Sequence, residues 1–167
     1  GRCENILTKL LSPCQSSFFL RETWKYHLCY NCLVDATLTP EARTALLSAA
    51  AVAERGAPAG FLTGHVRGGR FIVEGFIPAG PASLADPDAF FKLDALQPGR
   101  IVGFLVPSPA AAARKPLLRP HAVGRLVLAM RRKASARKLR LAGWTVDFDG
   151  KFFFSQAPIV EAEPGPR

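Results

Sequence analysis

The sequence predicts a domain of the α/β or α+β class, in which a mixed sheet is flanked by helices. Three observations predict it: one clear helix near residue 40, apolar segments of strand length after it, and two turn pairs that close β-hairpins. The length of 167 residues fits one domain with a short appendage. With 49% hydrophobic and 21% charged residues, the chain can bury a core and is not disordered throughout. No apolar run is long enough to span a bilayer.

The predicted helix begins at Thr39-Pro40-Glu41. Thr39 suits the N-cap, Pro40 suits the first helical position, and Glu41 is favourable at the positive end of the helix dipole. The helix is expected to run to about Glu54, because a glycine and a proline follow. Its alanine-rich surface suits a dimer contact or, more simply, packing on the core of the same domain.

Five or six strands are predicted after the helix. In order, the strand segments are Gly60–His65, Arg70–Ile77, Arg100–Val106, Arg125–Met130, Leu139–Phe148 and Lys151–Ala157. Gly68-Gly69 and Asp149-Gly150 are expected to close hairpins. The segments 80–98 and 107–120 are predicted to be loops, the first with a short helix at about 88–96 that Asp86 or Asp88 caps.

All the cysteines of the chain, Cys3, Cys14, Cys29 and Cys32, lie near its beginning, and the composition changes after them. Residues 1–35 are therefore assigned to an N-terminal appendage, either a docking arm or a metal knuckle, and residues 36–167 to the sheet domain.

The spacing Cys29-x-x-Cys32 allows two thiolates to bind one tetrahedral zinc ion, with Cys3, Cys14 or His27 as further ligands. A disulfide and free thiols remain open alternatives, because the second pair of cysteines is widely spaced. No other cofactor is predicted. No signal peptide is recognised, so an intracellular location, cytoplasmic or nuclear, is expected.

Basic residues dominate the second half of the chain, where no Asp or Glu occurs from Ala95 to Val146. The net charge of the whole chain is +9. The residues predicted to bind a nucleic acid or an acidic partner are Arg114, Lys115, Arg119, Arg131, Arg132, Lys133, Arg137, Lys138 and Arg140. A solvated basic loop is the third interpretation, and nothing in the sequence chooses among them.

Two histidines and one glutamate of the sheet domain are further candidate site residues. His65 lies at a strand end, where solvent or a hairpin carbonyl would satisfy it. His121, among prolines and cations, is expected to be a solvated loop residue. Glu74 is expected on a sheet face or edge. None of these residues predicts a catalytic constellation.

The order of these segments resembles the JAMM/MPN domain, the family of zinc-dependent deubiquitinating proteases and their non-catalytic relatives. Residues 57–64 fit the family frame E-x-x-G-x-L-x-G apart from its first position. Residues 71–78 match the hairpin partner that ends in proline. Residues 101–109, Ile-Val-Gly-Phe-Leu-Val-Pro-Ser-Pro, match the strand written I-V-G-W-x-H-S-H-P. The resemblance covers about residues 38–160 and implies an MPN-like mixed sheet.

The resemblance also locates the positions of the family's zinc site. The catalytic Glu falls on Ala57, the two His on Val106 and Ser108, and the Asp on Arg119. The neighbouring family Ser falls on Pro116. Val and Ala carry no donor atom, and a permanent cation repels a metal ion. These degenerate positions imply an inactive, MPN-minus-like pseudoenzyme without catalytic residues.

The sequence therefore predicts a non-catalytic scaffold subunit that mediates protein–protein assembly, similar to the scaffold subunits of the proteasome lid and of signalosome-type complexes. The expected partner is a second copy or another protein, and no membrane is expected. An RNA-associated accessory protein that uses the basic 114–140 stretch is the alternative. A metal-dependent isopeptidase or protease is a minor alternative.

Overall fold

A computed structural model of the chain describes residues 34–52, 58–131 and 140–160, with the backbone alone at Arg131. The strands are β1 (Ala36–Leu38), β2 (Gly60–Arg67), β3 (Arg70–Pro78), β4 (Ile101–Val106), β5 (Leu126–Arg131), β6 (Arg140–Phe148), β7 (Phe152–Gln156) and β8 (Ile159–Val160). The helices are α1 (Pro40–Val52), α2 (Pro81–Ala85), α3 (Pro87–Leu96) and α4 (Ala111–Arg114). Two 3-10 turns, Lys115–Leu117 and Pro120–Ala122, follow α4.

The eight strands form one mixed sheet in the order β7-β6-β5-β4-β2-β3-β1-β8. β4 pairs parallel with β5, and β1 pairs parallel with both β3 and β8, whereas the hairpins are antiparallel. The sheet curls, because β8 follows β7 closely in sequence but pairs at the opposite end of the sheet. Ala157 N–H donates to the carbonyl oxygen of Gly143 at 3.0 Å and helps to bring the two ends together. The predicted mixed α+β class is confirmed.

Glycines in the left-handed region form both predicted hairpin turns. Gly68 and Gly69 have φ angles of 60° and 79°, and Gly150 has a φ of 68°. The predicted strands are confirmed within one or two residues at each end. β1 and β8 were not predicted, because segments of three and two residues are too short to show an alternating pattern. Asp35 accepts two hydrogen bonds from Arg70, at 2.6 and 2.7 Å, and so fixes the start of β1 beside β3.

The helix α1 has the predicted start. The hydroxyl oxygen of Thr39 accepts a hydrogen bond from Ala42 N–H at 3.2 Å. Ala42 and Leu46 are fully buried, and the helix packs on β3. These contacts favour the core-packing interpretation over a dimer contact for this face. No helix within the described ranges is long and apolar enough to cross a bilayer.

Replacing Thr39 with alanine is expected to lower the free energy of unfolding by about 1 kcal/mol, because the N–H of Ala42 loses its side-chain acceptor. Thr44→Ala is the matched control. Thr44 lies in the same helix, and its hydroxyl donates to the carbonyl of Pro40 on the exposed side. There alanine should change stability by less than about 0.5 kcal/mol. Urea unfolding measures the free energy of unfolding of both variants. Equal losses in Thr39→Ala and Thr44→Ala would contradict the N-cap role of Thr39.

Two apolar clusters pack on the two faces of the sheet. The first includes Leu46, Leu62, Val73 and Leu128 and lies on the α1 side. The second includes the buried residues Phe61, Leu84, Phe90, Ile101, Phe104, Val106, Leu117, Ala122, Val127, Ala129 and Val146. All six residues of β4 are buried, which confirms the predicted central strand.

The predicted loops 80–98 and 107–120 are more structured than expected. The first contains α2 as well as α3, and the second contains α4 and the two 3-10 turns. α2 and α4 have only five and four residues, so no helical period was visible in the sequence. The expected cap of α3 is confirmed, since the carboxylate of Asp86 accepts a hydrogen bond from Asp88 N–H at 3.0 Å.

Candidate functional site

A groove opens at the carboxyl end of β4, where the chain leaves the sheet. After Val106 the backbone turns at Pro107-Ser108-Pro109, and the Ser108 hydroxyl accepts a hydrogen bond from Ala110 N–H at 3.2 Å. That bond suits a hydroxyl in a local turn and leads the chain into α4. The following 3-10 turn then returns along the same face of the sheet.

The groove has a volume of about 240 Å³ and lies between α2 on one wall and α4 with its 3-10 turn on the other. Its lining residues are Pro81, Leu84, Ala85, Val106, Pro107, Ala112, Ala113, Pro116 and Leu117. Leu84, Val106 and Leu117 are buried, whereas Pro81, Ala112 and Pro116 are exposed at the rim. All nine side chains are apolar, so the groove offers shape and apolar surface and no side-chain donor or acceptor.

The structure brings together two of the positions that the resemblance assigned to the zinc site. Val106 and Pro116 both line the groove, from separate segments of the chain. Ser108 lies just beyond β4 and has its hydroxyl in the turn. Arg119 is exposed and is not a lining residue. Ala57 lies outside the described residues.

Metal-ligating side chains do not cluster in the part of the chain that the structure describes. No group of three or more His, Cys, Asp or Glu residues there could hold a metal ion. The predicted knuckle residues Cys3, Cys14, His27, Cys29 and Cys32 lie outside that part, so the zinc prediction stays a prediction.

Arg114, at the end of α4, packs on aromatic side chains from the neighbouring hairpin. Its guanidinium carbon lies 3.8 Å from the ring centre of Trp144 and 5.0 Å from that of Phe154. Burial lowers the pKa of Arg114, and its Nε atom is buried without a hydrogen-bond partner within the described ranges. This contact was not predicted, because Trp144 and Phe154 lie on β6 and β7, about 30 to 40 residues away in sequence.

Two further predicted basic residues, Arg131 and Arg140, lie at the end of the sheet where β4 leads into the groove. Val106 of β4 is in register with Ala129 of β5, so β5 extends two residues beyond β4 at the groove end. There Arg131 lies directly opposite Arg140. Lys115, Arg119 and Arg140 are exposed. Arg132, Lys133, Arg137 and Lys138 lie outside the described residues.

His65, Glu74 and Arg100 form a partly exposed cluster on the sheet. His65 Nδ1 lies 3.2 Å from one carboxylate oxygen of Glu74, and Arg100 Nη2 donates to the other at 2.6 Å. The expected hairpin carbonyl is thus replaced by a carboxylate from the paired strand, while the side chain of His65 remains partly exposed to solvent, as expected. Exposed pairs of this kind contribute little stability.

The prediction that His121 is a solvated loop residue is wrong. Its side chain is only 7% exposed and packs between Phe90 and Phe104, with ring centres 5.6 and 5.9 Å away. Nε2 lies 3.2 Å from the carbonyl oxygen of Leu84, so Nε2 carries the proton and donates. Since Leu84 lines the groove, His121 holds the α2 wall against the sheet. Nδ1 is buried without a partner in the described ranges.

Lowering the pH is expected to destabilise the fold through His121. Burial lowers the pKa of His121, and the charge of Arg119 lowers it further, against the raising effects of the Leu84 hydrogen bond and the charge of Asp86. The unfolded chain therefore binds the proton more readily, so this stability is present at neutral pH and is lost as the pH falls below about 6.5. Urea unfolding at about pH 7.5 and 5.5 measures the free energy of unfolding that is lost between the two pH values. This loss should be smaller in His121→Gln than in the unmodified chain. An unchanged loss would contradict this assignment.

Comparisons with known proteins support the fold and leave the family open. No protein-family profile matches the sequence, and no curated protein is significantly similar to it. The solution structure of protein DSY2949 from Desulfitobacterium hafniense has a similar fold, with a TM-score of 0.54 and 20% sequence identity. The match covers 77% of this chain and 94% of that chain. The chain therefore has a mixed α+β fold that also occurs in that bacterial protein.

Proposed function

We propose that this chain is a non-catalytic interaction subunit, with a degenerate MPN-like domain, that mediates protein–protein assembly. The observation that carries the proposal is the apolar groove at the end of β4. Two positions that the family uses around its metal, Val106 and Pro116, form part of the lining. Hydrocarbon side chains cannot ligate zinc or move a proton, whereas they suit the burial of a partner's apolar side chains.

The shape of the groove supports binding rather than turnover. Buried residues form its floor, and the exposed residues Pro81, Ala112 and Pro116 form its rim, so apolar surface faces water in the isolated chain. Covering such surface is favourable by about 25 cal/mol per Å². The hydrogen bond from His121 to the carbonyl oxygen of Leu84 and the burial of Leu117 in the second cluster hold both walls in place before a partner binds. A preformed groove loses little conformational entropy on binding.

A second candidate function is association with RNA through the basic stretch. The observation that favours it is the direct pairing of Arg131 with Arg140 across β5 and β6. Both residues carry a permanent positive charge, and phosphate groups are the counter-charge that such a concentration of arginines favours.

Native mass spectrometry of the purified chain tests the proposal. We expect a second copy or a retained protein partner in about 0.05 M and in about 0.5 M ammonium acetate, because apolar contacts are insensitive to salt. Bound nucleic acid that dissociates at the higher salt would favour the RNA function instead. A parallel assay with a ubiquitin-type isopeptide substrate and zinc should show no turnover. Turnover that a chelator abolishes would overturn the proposal.

A further inference from the structure

We propose that the groove binds an extended peptide segment of a partner protein in which apolar residues are flanked by Asp or Glu. This inference rests on the proposed function, because it names the partner chemistry of the same site. It is carried by the juxtaposition of an apolar groove with two exposed cations, Lys115 and Arg119, which flank in sequence the lining residues Pro116 and Leu117 of one wall.

The size and lining of the groove fit side chains of a peptide. Its volume of about 240 Å³ is below the roughly 300–1,000 Å³ of sites that enclose a small molecule. A few aliphatic side chains fill such a space, with Leu84, Val106 and Leu117 beneath them. The lining contains no aromatic ring and no cation on which a nucleic-acid base could stack. A peptide is therefore a better occupant of the groove than RNA.

The two walls differ in charge. The 3-10 turn after α4 presents Lys115, and Arg119 follows it, both exposed. Neither residue forms an ion pair with another residue of the described ranges, and the same holds for Arg140 at this end of the sheet. The opposite wall, α2, leads to Asp86, whose carboxylate caps α3.

This asymmetry orients the partner. No Asp or Glu occurs between Ala95 and Val146. The segment that forms the α4 wall therefore contains no carboxylate that could neutralise its cations. Carboxylates of the bound segment would therefore lie toward Lys115 and Arg119, and its apolar residues would lie over Val106. Such complementarity provides specificity and a faster association, while the apolar contacts provide most of the affinity.

Selection of a random-peptide phage library on the immobilised full chain tests this proposal. We expect enriched peptides to carry apolar residues flanked by Asp or Glu. A synthetic enriched peptide should bind at least about tenfold more tightly than its twin with Lys in place of the acids, as measured by fluorescence anisotropy. Enrichment of basic or uncharged peptides, or no enrichment, would overturn the proposal.

Two matched pairs of variants locate the binding. Ala112→Glu places a charge in the groove and should weaken binding about tenfold or more, whereas Ala111→Glu, on the same helix but outside the lining, should not. Lys115→Glu should remove the preference for acidic peptides, and Lys92→Glu on α3 should retain it. Equal effects within either pair would overturn the assignment of the groove.

The failure of this inference is distinguishable from the failure of the proposed function. If the protein complex still forms in the Ala112→Glu variant, as seen by native mass spectrometry, the assembly function is supported. The groove is then excluded as the binding surface, and this inference is overturned. Chelator-sensitive cleavage of a groove-bound acidic peptide would instead overturn the non-catalytic function while retaining the peptide preference. Tight binding of a uridine oligonucleotide with no enriched peptide would favour RNA and overturn the inference.

Discussion

Phe104→Ala is expected to lower the free energy of unfolding by about 3–5 kcal/mol, enough to unfold many domains of this size. Phe104 is fully buried in β4, at the centre of the second cluster. Its ring centre lies 5.9 Å from that of Phe61, 6.0 Å from that of Phe90 and 5.9 Å from that of His121. Alanine would leave a cavity between the sheet, α3 and the 3-10 turn that carries His121.

Phe91→Ala is the matched control for that substitution. Phe91 is adjacent to Phe90 on α3, and its side chain is 58% exposed. Its loss should cost less than about 1 kcal/mol, because little apolar surface returns to water. Urea unfolding followed by circular dichroism measures both variants. Similar midpoints for Phe104→Ala and Phe91→Ala would contradict the placement of Phe104 at the centre of this core.

Gly103→Ala is expected to lower the free energy of unfolding by about 1–3 kcal/mol, near the upper end of that range. An alanine Cβ atom at this position would lie 2.1 Å from the carbonyl oxygen of Leu126. Gly103 and Leu126 are register partners in the parallel pair β4 and β5. The obstacle is backbone of a central strand, so relief requires the two strands to separate.

Gly80→Ala provides the control for the glycine substitution. Gly80 precedes α2 with a φ of −68°, and no atom lies within 4 Å of the position that its Cβ would take. Alanine there should change the free energy of unfolding by less than about 0.5 kcal/mol. Thermal unfolding that shifts equally in both variants would contradict the close approach of β4 to β5.

Local signals in the sequence were enough to predict much of this fold. The Thr39 cap and the turns at Gly68-Gly69 and Gly150 depend on residues within a few positions of each other. The buried run of β4 was visible as a continuous apolar segment. α2 and β8 were not visible, because segments of five and two residues take their conformation from tertiary contacts more than from their own sequence.

The candidate site could be predicted only in part, for the same reason. The resemblance assigned Val106 and Pro116 to a degenerate zinc site and predicted no groove, and the groove also needs α2, which was predicted to be a loop. His121 has prolines and cations as sequence neighbours, whereas Phe90 and Phe104, which bury it, lie on α3 and β4. The stacking of Arg114 on Trp144 likewise joins distant segments. Burial of polar residues by distant aromatic rings leaves no local signal.

Assembly through the groove is the central claim, and native mass spectrometry of the chain and two variants tests it most directly. The chain should be compared with Ala112→Glu and Ala111→Glu after identical purification. We expect the chain and Ala111→Glu to retain the same second copy or protein partner, and Ala112→Glu to lose it while remaining folded by circular dichroism. Retention of the same partner by all three proteins would contradict assembly through the groove.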